Sequence, residues 1–172
     1  MERVVAEGPR ILLTLRRLAW QMVEQYESFL MVGLEPRGVP VAQFLYTEIQ
    51  KIVGESVSFG TMDVTFWRDD LHMRGRLHIP RPSHLSFSIE GRGVWLVDDV
   101  IYTGRTVRAA MDALREFGRP AWLRLAVLVD RRGLREVPIL PDCAGFVLDT
   151  APGERVWVQM TPNPFIRIGL SV

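Results

Sequence analysis

The run Val94-Trp95-Leu96-Val97-Asp98-Asp99-Val100-Ile101-Tyr102-Thr103-Gly104-Arg105-Thr106 constrains this chain more than any other feature. Four consecutive apolar residues read as a strand buried on both faces, the form found in the middle of parallel sheets. That strand delivers two adjacent carboxylates to its exposed C-terminal end. Val107, Ala110, Met111, Leu114 and Phe117 then mark the core face of a helix. Thr103–Thr106 therefore form a short loop that opens a helix at its N-terminus. Free N–H groups and the helix dipole make such a loop an anion site, and Gly104 permits close approach of a phosphate. The Thr103 and Thr106 hydroxyls add donors, and Arg105 adds positive charge. Two carboxylates one short loop away suit vicinal hydroxyls, each oxygen accepting from an O–H. A phosphate beside a diol describes a ribose 5-phosphate. Neither G-x-x-x-x-G-K-[ST] nor a G-x-G-x-x-G after a strand occurs.

The flanking segments predict an α/β chain. Apolar residues at Ile11, Leu12, Leu15, Leu18, Ala19, Met22, Val23 and Tyr26 recur at helical spacing. Phe29–Leu34 is a second continuous apolar strand, after which Pro36-Arg37-Gly38 turns the chain. Pro40 fits the first turn of a helix with Ala42, Leu45, Tyr46, Ile49 and Val53 inward, closed by Gly54. Ser56–Phe59, Thr61–Trp67, Trp122–Val129, Gly145–Leu148 and Arg155–Gln159 read as strands. From Asp69 to about Gly93 the pattern dissolves, and a connection that long is a candidate lid. Strands alternating with helices predict a mainly parallel sheet flanked by helices, with ligands beyond the C-terminal strand ends. The 172 residues suit a single domain, 1–172, with a flexible lid over about 70–93.

Composition removes several function classes. A chain 48% hydrophobic and 24% charged is neither disordered nor collagen-like. A net charge of +1 demands no nucleic acid, although a local basic patch stays open. Cys143 is the only cysteine, which excludes an intramolecular disulfide and Cys-based zinc sites. His72, His78 and His84 match no zinc spacing and read as loop-surface residues. No signal-peptide core or membrane-length apolar run occurs, so a soluble cytoplasmic protein without a membrane partner is expected.

The Val94–Thr106 block resembles the phosphoribosyl-pyrophosphate motif of the type I phosphoribosyltransferases. Further blocks, over roughly residues 10–160, narrow the likeness to the PyrR family of pyrimidine operon regulators and uracil phosphoribosyltransferases. Leu30–Leu34 leading into Arg37-Gly38 resembles its pyrophosphate loop, and Asp63–Leu71 resembles its D-I-T-x-Y-R-D-D-L block. Asp98–Leu114 follows its D-D-V-x-Y-T-G-R-T-x-R-A-x-x-D-A-L block, and Gly118-Arg119-Pro120 and Leu125–Arg131 continue in order. The resemblance implies a type I phosphoribosyltransferase fold. It also implies transfer of ribose 5-phosphate from 5-phosphoribosyl 1-pyrophosphate to uracil, giving UMP and pyrophosphate. Mg²⁺ would be carried with the donor rather than held by the protein directly. Asp98 and Asp99 would hold the ribose hydroxyls, and Thr103, Gly104, Arg105 and Thr106 the 5-phosphate. Arg37 and Gly38 would hold pyrophosphate, while Arg68 and Asp69 adjoin the lid. Catalysis would then rest on Asp98, Asp99 and Arg37, by positioning and by stabilising the leaving anion. A homo-oligomer, dimer or higher, is expected from the family.

Two departures bear on that site. Glu35-Pro36 stands where the family carries a Thr, which puts a carboxylate beside the expected pyrophosphate and makes a cis peptide an expectation. Tyr102 stands where purine-salvage relatives keep an acidic residue near the base. The family's second activity is uridine-nucleotide-promoted binding of a pyrimidine operon mRNA leader hairpin. It draws on the first helix and on the loop after the Val-Asp-Arg strand end. There T-R-x-x-H becomes Arg16-Arg17-Leu18-Ala19-Trp20, and G-H-R-E-L-P-I-R becomes Gly133-Leu134-Arg135-Glu136-Val137-Pro138-Ile139-Leu140. Arg16, Arg17, Arg131 and Arg135 are the candidate RNA contacts, with Trp20 available to stack on an unpaired base. Three readings stay open: a uracil phosphoribosyltransferase that also regulates mRNA, a nucleotide-sensing RNA regulator with weak or no catalysis, and a phosphoribosyltransferase for another base without an RNA role.

Overall fold

Strands that are apolar throughout have no wet face, so they must lie between layers. A computed structural model, described over residues 2–25, 28–54, 57–67, 83–160 and 167–172, builds its main sheet around two of them. The chain runs β1 (Glu2–Glu7), α1 (Pro9–Gln25), β2 (Leu30–Leu34), α2 (Gly38–Val53), β3 (Ser58–Met62), β4 (Gly93–Ile101), α3 (Arg105–Leu114), β5 (Trp122–Arg132), β6 (Cys143–Asp149), β7 (Arg155–Gln159) and β8 (Arg167–Ser171). Five strands form a parallel sheet in the order β3-β2-β4-β5-β6, with every residue of β2 buried and β4 buried nearly to its end. The expected parallel sheet flanked by helices is what the chain forms.

Strand alternation divides the core into two layers. Trp95 and Val97 of β4 pack with Ile11, Leu15, Leu18 and Met22 of α1 and with Val41, Leu45 and Ile49 of α2. Val94 and Leu96 pack on the other face with Val107, Ala110 and Leu114 of α3. Gly54 closes α2 in the left-handed conformation, as its position predicts.

Three segments differ from the sequence expectation. The predicted strand over Thr61–Trp67 ends at Met62. There the Asp63 carboxylate accepts the Thr65 N–H at 2.9 Å and its hydroxyl at 2.5 Å, so the chain leaves the sheet for a 3-10 turn at Thr65–Trp67. A second sheet is also present, antiparallel and in the order β1-β8-β7; β1, β8 and their pairing to β7 have no counterpart in the sequence reading. The third segment is the expected lid over 70–93. Arg68, Asp69, His72 and His78 lie outside the described residues, while within 83–92 Leu85, Phe87 and Ile89 pack against the core and His84, Ser86, Ser88 and residues 90–92 are exposed. His84 bridges Thr61 through two backbone hydrogen bonds of 2.8 and 3.2 Å, and Ile89 is fully buried. Among the described residues no helix is long and apolar enough to cross a membrane.

Candidate active site

The alternation that splits the core also splits the two acids. By alternation Asp98 follows Val94 and Leu96, and Asp99 follows Trp95 and Val97, yet Asp98 Oδ1 also lies 3.0 Å from where a Gly38 Cβ would stand at the start of α2. Both are buried, at 7% and 6% exposure, yet they sit at the C-terminal end of a central parallel strand. Asp98 lines a cavity of about 110 Å³ with Val100, Ile101, Tyr102, Thr103, Gly104, Thr106 and Val107. The Asp99 carboxylate instead receives Arg37 Nε at 2.9 Å. The acid pair thus lies between two loops that each precede a helix: Asp98 lines the cavity before α3 with its Oδ1 also beside Gly38, and Asp99 holds Arg37.

Backbone donors fix both carboxylates. The Asp99 N–H donates to Asp98 Oδ1 at 2.8 Å, and the Val100 N–H donates to Asp99 Oδ1 at 2.8 Å. Burial holds the Asp98 carboxyl well above the ordinary aspartate range; the Asp99 charge adds to that push, and Arg37 opposes it. An acid poised in this way favours a partner that donates a proton or brings positive charge.

The loop before α2 carries Glu35, Pro36, Arg37 and Gly38. Its Glu35-Pro36 peptide is cis, as expected. Glu35 is drawn toward β3: its N–H donates to Met62 O at 2.9 Å, and its carboxylate accepts the Thr61 hydroxyl at 2.6 Å. Gly38 lies so close to β4 that a Cβ there would stand 2.6 Å from Val97 O and 2.9 Å from Asp98 Cα. Only glycine lets the α2 N-terminus, with its positive dipole end, approach the acid pair.

The loop before α3 is Tyr102, Thr103 and Gly104. Gly104 takes φ +91°, and its carbonyl accepts the Arg108 N–H at 3.0 Å to start the helix. The Thr103 hydroxyl accepts the Arg105 N–H at 3.3 Å. Residues 135–137 pack against this loop. The Thr103 carbonyl accepts the N–H groups of Glu136 and Val137 at 3.0 and 2.9 Å, Arg135 Nη1 donates to the Tyr102 carbonyl, and Arg105 Nε pairs with Glu136.

The predicted ribose, 5-phosphate and pyrophosphate residues are therefore brought together at one end of the sheet. The four arginines predicted for RNA are not. Arg16 is exposed and pairs with Glu48 at 3.4 Å. Arg17, also exposed, donates to the Ala144 and Gly145 carbonyls at 3.3 and 2.9 Å, tying α1 to β6. Arg131 is only 6% exposed; it stacks 3.8 Å over the Tyr102 ring and donates to Thr150 Oγ1 and the Glu154 carbonyl. Arg135 is committed to Asp130 and Tyr102. Arg131, buried, and Arg135, partly buried, thus both make contacts within the fold. The sequence reading missed Asp130, Glu136 and the Tyr102 and Thr103 carbonyls as loop supports. The one available signal was a charged Asp130-Arg131 pair ending an apolar strand, the same sign that marks Asp98-Asp99.

Comparison with known proteins agrees with this geometry. The phosphoribosyl transferase domain family matches residues 4–154. A "Bifunctional protein PyrR" of Gloeothece citriformis is 45% identical over 161 residues, covering 92% of this chain and 90% of the relative. Another, of Elusimicrobium minutum, is 40% identical over 163 residues, covering 93% and 90%. A hypoxanthine phosphoribosyl transferase of Trypanosoma cruzi superposes with a TM-score of 0.70 at 18% identity, over 87% of this chain and 79% of that one, a likeness of fold. With sequence identity of this order sustained over nine-tenths of the length, the chain belongs to the phosphoribosyl transferase family and, within it, to the PyrR group.

Proposed function

We infer that this protein transfers ribose 5-phosphate from 5-phosphoribosyl 1-pyrophosphate to uracil, and that it regulates pyrimidine operon mRNA by uridine-nucleotide-dependent binding to its leader. The observation that carries the enzymatic half is the placement of the buried Asp98–Asp99 pair between two helix-opening loops. The 5-phosphate occupies the cradle of Thr103, Gly104, Arg105 and Thr106, where N–H groups and the α3 dipole favour an anion. Asp98, on the same cavity, accepts a ribose hydroxyl. Arg37 and the Gly38 N–H take pyrophosphate at the start of α2. The Arg37 side chain of the Arg37–Asp99 pair is 57% exposed, so a multiply charged ligand can reach it and compete for it. Asp99, released, accepts the second hydroxyl. As the bond from the sugar to pyrophosphate breaks, charge grows on the leaving oxygens, and Arg37 with the α2 dipole meets it. No covalent intermediate on the protein is required. Arg68 and Asp69 are proposed as neighbours of the lid.

Mg²⁺ takes oxygen ligands and keeps several waters. Among the described residues no three His, Cys, Asp or Glu gather to hold a metal, and of the two site carboxylates Asp99 is already engaged. The residues present fit an ion that enters on the donor's oxygens, with Asp98 and Asp99 alongside. Bound there, it would neutralise pyrophosphate charge. The turn of Glu35 toward Thr61 supports catalysis over a sensor-only role, because it takes the carboxylate to the β3 side. For the RNA half, exposed Arg16 and Arg17 with Trp20, 60% exposed, supply a cationic and stacking face on α1.

Incubation with the donor, Mg²⁺ and single bases tests the enzyme: UMP from uracil is expected. IMP or GMP would replace uracil with a purine, and tight UMP binding without product would leave a sensor. A leader hairpin shifted by the protein with UMP at low salt is expected for the RNA half; an unshifted hairpin removes it.

A further inference from the structure

We propose that Arg135 is a positioning residue for the 5-phosphate cradle, turning the Tyr102–Thr103 peptide plane from behind so that the Thr103 N–H faces the anion. The inference rests on the assignment of that cradle to a 5-phosphate. In a trans peptide the C=O of one residue and the N–H of the next point in opposite directions. The peptides on either side of Thr103 are both trans, since the cis bond here is Glu35-Pro36. Arg135 Nη1 holds the Tyr102 carbonyl, which aims the Thr103 N–H the other way. The Glu136 and Val137 N–H groups hold the Thr103 carbonyl, which does the same for the Gly104 N–H. Residues 135–137 do not line the cavity beside Asp98, whereas Tyr102, Thr103 and Gly104 do. Carbonyls therefore face the supporting loop, and amides face the cavity.

Arg135 is itself braced. Its Nη2 pairs with Asp130, which is 4% exposed at the end of β5, and the Tyr102 ring is held under Arg131. Gly104 lets the two loops close, its Cβ position lying 3.2 Å from Val137 O. The arrangement leaves buried Arg135 Nε without a hydrogen-bond partner, a cost accepted where a fork must reach two oxygens at once. Lysine, a single point donor, does not span both. Without the brace, carbonyl oxygens of this glycine-containing loop are free to turn toward an incoming phosphate and repel it.

The test compares UMP with uridine, its phosphate-free counterpart, by calorimetry on wild type, Arg135→Ala, Arg135→Lys and Asp130→Asn. Loss of aimed, charge-assisted donors predicts that Arg135→Ala weakens UMP about tenfold or more. Uridine should stay within about twofold, a difference well under 1 kcal/mol. Arg135→Lys and Asp130→Asn should fall between, and they carry the measurement if the alanine variant does not fold. KM for the donor should rise more than kcat falls. Equal weakening of UMP and uridine, or unchanged UMP affinity in all three variants, overturns the role of Arg135. A wild-type protein that binds UMP no tighter than uridine overturns the phosphate assignment instead, and this inference with it.

Discussion

The two anion loops of this site are anchored by opposite means. The loop before α2 is tied to the site through the site's own chemistry: Arg37 is paired with Asp99, a group the substrate also needs. The loop before α3 is tied through groups that the substrate does not touch, with Arg135, Glu136 and Val137 holding its carbonyls from the far side. The difference follows from exposure. Both pairs join a buried carboxylate to an arginine, but the Arg37 side chain is 57% exposed and open to exchange, whereas that of Arg135 is 16% exposed and held between Asp130 and the Tyr102 carbonyl. The first loop is thus built to exchange partners when the donor arrives, and the second is built to be ready beforehand. A leaving group must be let go, while a phosphate retained in both substrate and product is best held by a rigid cradle.

The largest effects should come from the carboxylates, and they should separate the loops. Asp98→Asn and Asp99→Asn are each expected to lower UMP formation by about 10²-fold, the scale of losing a charged contact at the reacting centre. Asp99→Asn should also free Arg37, so pyrophosphate should inhibit that variant more tightly than it inhibits wild type. Product-inhibition assays check this, and an unchanged inhibition constant would mean the pair does not compete with pyrophosphate.

Arg37→Ala tests the exchanging loop alone. KM for the donor should rise about tenfold, one charge-assisted contact's worth, while UMP, which carries no pyrophosphate, should bind within about twofold of wild type. Equal losses for donor and UMP would erase the distinction between the loops.

How much of this could be read from the sequence follows the range of the interactions. The β4 strand, its acid pair and the glycine loop were legible because each depends on neighbours within a few residues. So were α2 and its Gly54 cap. The β1–β8 pairing was not, because Glu2 meets Ser171 across the whole chain and β1 mixes charged and apolar positions without a clear face. The turn at Asp63 was hidden by the β-forming residues that follow it, which a side-chain hydrogen bond overrides. Arg131 and Arg135 were legible as charges but not as places: an arginine stacked on Tyr102 and one meant for phosphate carry the same letter. Their partners, Asp130 and the Tyr102 carbonyl, come together only when β4 and β5 pair.

Gly104→Ala tests the rigid loop with a smaller effect. An alanine at φ +91° is strained by about 1–2 kcal/mol, and its Cβ would press on Val137 O at 3.2 Å. Thermal unfolding should register a fall of about 2–4 °C per kcal/mol in a chain this long. UMP affinity should drop with it, whereas pyrophosphate inhibition should hold; a loss confined to pyrophosphate would assign the loops the wrong way round.

The smallest effect concerns the shared strand end. Asp98 has its pKa raised in the folded protein by burial first and by Asp99 second, above the roughly 3.9 of an unfolded chain. A group shifted in that direction gives its full stabilising contribution below about pH 3.9 and loses it as pH climbs through the folded value. At pH 8, without ligand, the ionised Asp98 therefore weakens the fold. Asn in its place retains an oxygen for the Asp99 N–H but never ionises. Asp98→Asn should melt higher than wild type at pH 8, by a few degrees at about 2–4 °C per kcal/mol, and the gap should close as pH falls toward 4. Melting curves at several pH values decide it. A gap that stays constant with pH would show that the carboxyl is not held above its ordinary range, and that the ribose hydroxyl meets an acid already fully ionised and unstrained.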